Sequence, residues 1–284
     1  MKSLVLTLQF LTRLPLPWVI EGDDAIFARG VKYFPVAGAI IGLFNCLVFY
    51  LANLVFSPIT AGFLTVLMDT FMTGGLHLDG LSDTWDGVFS VRDRERMLEI
   101  MKDSRIGSFG VLGMLMVLGC KWVMYTELAG GLSLYGNGMD LWCRVLGPVV
   151  AAPIVGRIVM ALLIYISEYA RKTGMGGLYF AHKDAMNLPV TLIIGLALTG
   201  LCGYTAWIMI PFGIAVGLCF RAFIYRKLGG MTGDTLGASL EVTECIVLTV
   251  AVIAVRILGG FDETVFGAPW ADGVESARYQ RAAG

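Results

Sequence analysis

The fold is decided by residues 33–76, which read YFPVAGAIIGLFNCLVFYLANLVFSPITAGFLTVLMDTFMTGGL, with Asp69 as their only charged residue. A helix needs about 20 apolar residues to cross a bilayer, so this stretch has room for two crossings. Charged residues make up 15% of the 284-residue chain, and the mean hydropathy is +0.75. Soluble domains carry roughly a quarter charged residues. The composition therefore predicts an integral membrane protein.

Further apolar runs cover residues 108–128, 145–166, 188–225 and 239–258. The third of these is long enough for a hairpin of two crossings, with Gly200, Gly203 and Pro211 near its bend. We therefore predict an all-α integral membrane protein, a polytopic helical bundle of about seven transmembrane helices with cytoplasmic active-site loops. Residues 1–259 would form one polytopic membrane catalytic domain, followed by a polar C-terminal tail at 260–284.

The distribution of Lys and Arg predicts which side of the membrane faces the cytoplasm. Fifteen of these residues fall on the side that holds the N-terminus and the loops near residues 90–107 and 226–237, and four fall on the other side. Because cytoplasmic loops are enriched in Lys and Arg, the first side is predicted to be cytoplasmic.

An acidic segment, GGLHLDGLSDTWDG at residues 74–87, follows the second crossing. Asp79, Asp83 and Asp86 are spaced i, i+4 and i+7, which places them within a sector of roughly 60° on a helix. Like charges on one face repel one another, and a hard divalent cation such as Mg²⁺ would offset that repulsion. The alternative is a solvated acidic helix end.

A basic segment, VRDRERMLEIMKDSRIG at residues 91–107, comes next and predicts an amphipathic helix at the membrane surface. Carboxylates beside Arg side chains suit a metal-chelated diphosphate, since the metal bridges phosphate oxygens and guanidinium groups bind the others. Contact with anionic lipid headgroups is the alternative explanation for this segment. We expect Arg105, in the sequence DSRIG, to serve a phosphate substrate, whereas lipid contact explains Arg94 equally well.

A second Gly-rich loop, GGMTGDTLG at residues 229–237, shares the pattern GGxxxD with residues 74–79. An internal repeat and chance both explain this likeness. Asp234 adds a fourth carboxylate and backbone N–H groups that can approach phosphate, although Thr-Gly-Asp is also an ordinary turn sequence. Asp69 lies inside an apolar run, where an ionisable residue is a functional candidate unless it is solvated near the headgroups.

Two families share parts of these patterns. Asp83-x-x-Asp86-Gly87-x-x-Ser90-x-Arg92 resembles the opening of the CDP-alcohol phosphotransferase motif, whose second half does not follow here. The whole set resembles the cobalamin synthase family more closely. The segments that carry this resemblance are FLTRLP (10–15), GGLHLDGLSD (74–83), DGVFS (86–90), RMLEIMKDSRIG (96–107), YAR (169–171) and GGMTGDTLGA (229–238).

The resemblance implies a transferase that joins adenosylcobinamide-GDP to α-ribazole or α-ribazole 5′-phosphate, a late step of cobalamin biosynthesis. GMP would leave, and adenosylcobalamin or its 5′-phosphate would form. It also implies Mg²⁺ and a multi-pass location in a bacterial or archaeal cytoplasmic (inner) membrane, with the lipid bilayer as a partner and no nucleic acid. Whether the chain forms a homo-oligomer stays open.

The resemblance and the residue chemistry together assign the candidate site. The metal ligands would be Asp79, Asp83 and Asp86. Asp103 or Asp234 would act as the base or complete the metal shell, and Arg105 would bind phosphate. The substrate-binding residues would be His77, Arg96, Lys102, Arg171 and Thr232. A CDP-alcohol phosphotransferase-like enzyme is the alternative, and an ion-coupled transporter is less favoured because it does not explain carboxylates and Arg concentrated in one loop.

Overall fold

A computed structural model describes residues 1–19, 23–133 and 138–258 of the chain. Within these residues every long regular element is a helix. The helices are α1 (Lys2–Leu11), α2 (Asp24–Ala28), α3 (Phe34–Val55), α4 (Pro58–Thr73), α5 (Leu76–Val88), α6 (Arg94–Ile100), α7 (Ser108–Gly130), α8 (Met139–Leu141), α9 (Gly147–Ile166), α10 (Met175–Ala181), α11 (Asn187–Leu201), α12 (Tyr204–Leu228) and α13 (Gly233–Leu258). The predicted C-terminal tail lies outside the described residues.

The helices confirm the prediction of an all-α polytopic membrane protein. Five stretches are long and apolar enough to cross a membrane: Asp24–Val55, Ser108–Gly130, Met139–Ile166, Tyr204–Leu228 and Gly233–Ile257. A sixth results if the bent pair α4 and α5 counts as one span. The number of about seven stays a prediction, because α4 and α11 have 16 and 15 residues and reach only about 24 Å.

The centre of the bundle is α9, which packs against α3, α11, α12 and α13. Small residues allow the close packing of α3 on α9. A Cβ atom on Gly38 would lie 2.6 Å from the carbonyl oxygen of Pro153, and one on Gly42 would lie 2.3 Å from that of Val150. Such contacts are typical of membrane helices, where packing rather than the hydrophobic effect holds helices together.

The chain turns by 91° between α4 and α5. Gly74 and Gly75 make this turn with φ angles of 62° and 72°, which lie in the left-handed region that favours glycine. The Arg13 backbone N–H donates to the carbonyl of Met72 at 2.8 Å and fixes the end of α4. Since α5 has 13 residues and runs across the direction of α4, we place α5 outside the spans.

The helices that follow the two Gly-Gly pairs meet, since α5 packs against the start of α13. A Cβ atom on Gly80 would lie 2.9 Å from the Cα of Asp234, and one on Gly237 would lie 3.2 Å from the Cα of His77. Gly229 ends α12 with φ 68°, just as Gly74 ends α4. The same local construction thus presents one aspartate in the first turn of each following helix, and the internal repeat stays an interpretation.

Candidate active site

Three predicted carboxylates gather where α5 meets α13. Asp79 is exposed, and Asp83 and Asp234 are half-buried. Burial, and after it the neighbouring Asp234 and Asp79 carboxylates, raise the pKa of Asp83 to about 7. The raised pKa of Asp83 indicates that negative charge is concentrated here, so a bound cation would be stabilised. We call Asp79, Asp83 and Asp234 the acidic cluster.

Arg171 lies beside this cluster, with its Nη1 atom 2.7 Å from Oδ2 of Asp234. Its loop is held by a short parallel bridge between Tyr169 and Met231. The Ala170 N–H donates to the carbonyl of Met231 at 2.8 Å, and the Met231 N–H donates to that of Glu168 at 2.9 Å. Two segments about 60 residues apart in the chain thereby place one cation against one carboxylate.

Arg94 has a structural role that the sequence did not indicate. Its Nε donates to the carbonyl of Leu228 at 2.7 Å, and its Nη2 donates to that of Ala170 at 2.9 Å. Arg94 thereby ties α6 to the end of α12 and to the Arg171 loop, and lipid contact stays an untested alternative for the exposed part of its side chain. Its partners are backbone carbonyls 134 and 76 residues away, which leave no local pattern in the sequence.

Asp86 binds the start of α7. Its Oδ2 accepts a hydrogen bond from the Gly107 N–H at 2.7 Å, and its Oδ1 accepts one from the Gly110 N–H at 2.8 Å. The first N–H groups of a helix have no partner within the helix, and an acidic side chain there also favours the helix dipole. Both oxygens of Asp86 are thus engaged in holding α5 to α7, and its metal role stays a prediction.

The predicted basic groups lie on an exposed rim. Arg105 donates from Nε and Nη2 to the Asp103 carboxylate, at 3.0 and 2.6 Å, and these hydrogen bonds hold the pKa of Asp103 at about 2. Arg96 forms an exposed ion pair with Glu99 at 2.8 Å, and Lys102 is exposed. Asp103 and Arg105 thus pair with each other, and Arg96 pairs with Glu99 of the same helix. Their predicted roles therefore require a substrate that reaches this rim.

Thr232 is buried and lies immediately before α13. The Thr235 N–H donates to Oγ1 of Thr232 at 3.2 Å, and the Thr232 N–H donates to Oγ1 of Thr235 at 2.7 Å. This reciprocal pair resembles a capping box and satisfies two N–H groups at the helix start. Thr232 Oγ1 also lies 3.5 Å from Oδ2 of Asp234, which suits a positioning role, and its predicted substrate contact stays a prediction.

A cavity of about 300 Å³ opens beside the acidic cluster. Asp79, Asp234 and Arg171 stand at its polar part, and His77 lines it 3% exposed. Burial lowers the pKa of His77 well below its usual value, and nearby Arg157 and Lys121 lower it further, so the ring is neutral. Neither ring nitrogen has a hydrogen-bond partner among the described residues.

A buried ion network lies beneath α5, inside the bundle. Nζ of Lys121 contacts the carboxylates of Asp69, Glu241 and Glu244 at 2.9, 2.7 and 2.6 Å, and Arg157 contacts Glu244 at 3.0 Å. Asp69 is 5% exposed, so the alternative of a solvated Asp69 is wrong. Sequence reasoning missed the other four residues, although charges within apolar runs were the signal that could have found them.

The described side chains limit how a metal ion could be bound. Among residues 1–19, 23–133 and 138–258, no group of three or more His, Cys, Asp or Glu side chains is arranged to hold one. Mg²⁺ is commonly bound by one or two carboxylates together with water and substrate phosphates. The acidic cluster fits this way of binding Mg²⁺, since its carboxylates lie close to one another beside a cavity.

Comparison with known proteins gives a consistent result. A family model described as Cobalamin-5-phosphate synthase matches residues 3–252. A protein of Clostridium novyi (strain NT) is 35% identical over 248 residues, which are 87% of this chain and 94% of the relative. A protein of Escherichia coli O17:K52:H18 (strain UMN026 / ExPEC) is 40% identical over 250 residues, 85% of this chain and 95% of its own length.

A third relative, from Alkaliphilus oremlandii (strain OhILAs), is 37% identical over 260 residues, 91% of this chain and 100% of its own. All three relatives carry the name adenosylcobinamide-GDP ribazoletransferase. No solved structure matches the chain.

Proposed function

The chain belongs to the cobalamin-5-phosphate synthase family, and from this premise we propose that it joins adenosylcobinamide-GDP to α-ribazole or α-ribazole 5′-phosphate. The products are GMP and adenosylcobalamin or its 5′-phosphate, a late step of cobalamin biosynthesis. The structural observation that carries the proposal is the acidic cluster, with Arg171 at 2.7 Å from Asp234, at the mouth of a cavity. Carboxylates and a guanidinium in one place suit a diphosphate substrate.

The bond changes follow from the substrates. A ribose hydroxyl oxygen of α-ribazole attacks the phosphorus that carries the cobinamide group. A new P–O bond forms to the ribose while the bond to the bridging oxygen breaks, and GMP leaves with that oxygen. The hydroxyl proton passes to a carboxylate. Asp234 is suited to accept it at the cavity mouth, whereas Asp103 is a weak base because Arg105 holds its pKa at about 2.

Mg²⁺ is the cation that we propose for the site, with Asp79 and Asp83 as the side chains that hold it. When bound, the ion would neutralise phosphate oxygens as charge moves to the leaving GMP. Asp86 is less available, because both of its oxygens already accept hydrogen bonds from the start of α7. Arg171 would bind a remaining phosphate oxygen, since its buried Nε has no hydrogen-bond partner among the described residues.

We propose that the site faces the cytoplasm, the side that carries most of the Lys and Arg residues. Since Gly80 packs against Asp234, α5 and the start of α13 lie on the same side. The chain must cross the membrane an even number of times between them. α7, α9 and α12 supply three crossings, so the short α11 must supply the fourth.

This topology predicts a labelling pattern. Cysteines placed at Arg92 and Lys227, both exposed, should react with an impermeant thiol reagent only from the cytoplasmic side, in a chain whose six native cysteines are replaced. Cysteines at Phe56 and Leu201, which are exposed at the opposite helix ends, should react only from the other side. Reaction of Arg92→Cys and Lys227→Cys from opposite sides would refute the crossing count.

The proposed function is tested with purified protein in detergent. Given both substrates and Mg²⁺, it should release GMP in an amount equal to the adenosylcobalamin formed, and omission of α-ribazole should stop the release. Failure to release GMP would overturn the proposal. CMP release from a CDP-linked alcohol would instead favour a CDP-alcohol phosphotransferase-like enzyme, and uptake of solute into vesicles without GMP would favour a transporter.

A further inference from the structure

The deep part of the cavity beside the acidic cluster is apolar and partly aromatic. Its walls come from α1, α3, α9, α10 and α13, through Phe10, Phe34, Met160, Ile164, Tyr179 and Leu236. The rings of Phe34 and Tyr179 meet edge to face, with their centroids 5.4 Å apart. Such walls favour a flat apolar group over a phosphate or a sugar.

Two polar groups interrupt these apolar walls. His77 is 3% exposed and Tyr179 is 5% exposed, and both line the cavity. The His77 ring nitrogens and the Tyr179 hydroxyl have no hydrogen-bond partner within the described part of the chain. A buried polar group without a partner is destabilising, so a ligand that offers one polar atom would relieve this cost.

The size of the cavity narrows the choice of ligand. At about 300 Å³ it lies at the lower end of the range for small-molecule sites. It has room for a nucleoside base with part of its ribose, and it is too small for a corrin ring with its substituents. Of the groups that the two proposed substrates carry, two are small enough to fit the cavity: the guanine of the donor and the base of the acceptor.

The number of polar groups on each base indicates which of the two fits the cavity. Guanine carries several donors and acceptors on its edge, and most of them would lose water without gaining a partner against apolar walls. The benzimidazole base of α-ribazole is apolar except for one free ring nitrogen, which needs a single donor. A histidine ring carries at least one N–H in either protonation state, so His77 can donate this hydrogen bond, and the Tyr179 hydroxyl can donate another.

We propose that this cavity binds the base of the acceptor nucleoside, with His77 and Tyr179 as the residues that select an apolar bicyclic heterocycle having one free acceptor nitrogen. The ribose then lies at the mouth, beside Asp79, Asp234 and Arg171. This inference rests on the proposed function and deepens it, since it names the residues that set acceptor specificity.

Steady-state kinetics of GMP release test this proposal. His77→Ala and Tyr179→Phe should each raise the KM for α-ribazole, by about tenfold for the stronger of the two, while the KM for adenosylcobinamide-GDP changes less than twofold. Tyr165→Phe is the matched control, because its hydroxyl donates to the carbonyl of Asp184 at 3.0 Å, away from the cavity walls. It should leave both constants unchanged.

An inhibition experiment on the wild-type protein provides an independent readout. The free base of α-ribazole should inhibit competitively with α-ribazole and not with adenosylcobinamide-GDP, and free guanine should not compete with α-ribazole. Unchanged acceptor KM in both variants, or competition by guanine in place of the benzimidazole base, would overturn the inference while wild-type turnover stands. A wild-type protein without turnover would instead overturn the proposed function.

Discussion

Asp83→Asn should fold and insert like the wild-type protein but release GMP at least about 10³-fold more slowly. Asp83 is close enough to Asp79 and Asp234 for both carboxylates to raise its pKa, and the substitution removes one of the charges that would hold Mg²⁺ on the diphosphate. Loss of a metal ligand costs several kcal/mol in the transition state, and each 1.4 kcal/mol is about tenfold in rate. The assay is GMP release at saturating substrate over a range of Mg²⁺ concentrations.

The same substitution should have the opposite effect on stability, because it should make the folded protein more stable. The pKa of Asp83 is raised from 3.8 to about 7, so the folded protein keeps a proton that the unfolded chain loses as the pH rises through this window. The wild-type protein therefore loses stability between about pH 4 and 7, and Asp83→Asn does not. Without divalent cations, the variant should be more stable at pH 8 by about 1 kcal/mol, because a half-exposed carboxylate is screened by water.

Two further variants separate this effect from general damage. Glu95→Gln removes an exposed carboxylate of α6 and should leave turnover and stability unchanged. Asp86→Asn should lose about 1–3 kcal/mol of stability, since an amide cannot accept both hydrogen bonds from the start of α7. If Asp83→Asn turned over within threefold of the wild-type rate at limiting Mg²⁺, Asp83 would have no role in the reaction.

Lys121→Met should sharply reduce the amount of folded protein recovered from membranes. Lys121 is 1% exposed and contacts Asp69, Glu241 and Glu244, which are themselves buried. Three carboxylates would then face Arg157 as their only cation in this network. Removal of one partner from a buried ion pair costs about 3–5 kcal/mol, comparable with half the stability of a typical domain.

The measurement for Lys121→Met is the thermal aggregation midpoint in detergent, together with the yield of monodisperse protein. Lys227→Met, which removes an exposed lysine at the end of α12, serves as the control and should behave like the wild type. The double variant Lys121→Met, Glu241→Gln should recover part of the loss, because it removes a carboxylate along with the cation. A Lys121→Met protein as stable as the wild type would show that the network contributes little to folding.

Hydropathy alone located the apolar stretches that form the main helices of the bundle, because a membrane requires runs of apolar residues whatever their packing. It did not fix the number of crossings. α4 and α11 are shorter than a bilayer is thick. The packing of α5 on the start of α13, through Gly80 against Asp234, is what requires an even number of crossings between α5 and α13. Sequence therefore predicted the class of fold, and tertiary contacts were needed for its topology.

The site was predictable where its residues share a helix or a motif. The spacing of Asp79 and Asp83 and the Gly-rich turn at Asp234 pointed to the acidic cluster, which the structure brings together. The cavity was not predictable, because its walls come from five helices that are far apart in the chain. Asp86 bonds to backbone N–H groups, and no residue type in the sequence marks those partners.

The most direct test of the account is a double-mutant cycle between Asp79 and Asp234, with GMP release as the measurement. These residues lie 155 positions apart, in the first turns of α5 and α13, and we propose that they belong to one site. If they act as one unit, Asp79→Asn, Asp234→Asn should be little slower than the slower single variant, because the first loss already disables the site. Rate losses that multiply would show that the two loops contribute independently, and would contradict a shared site.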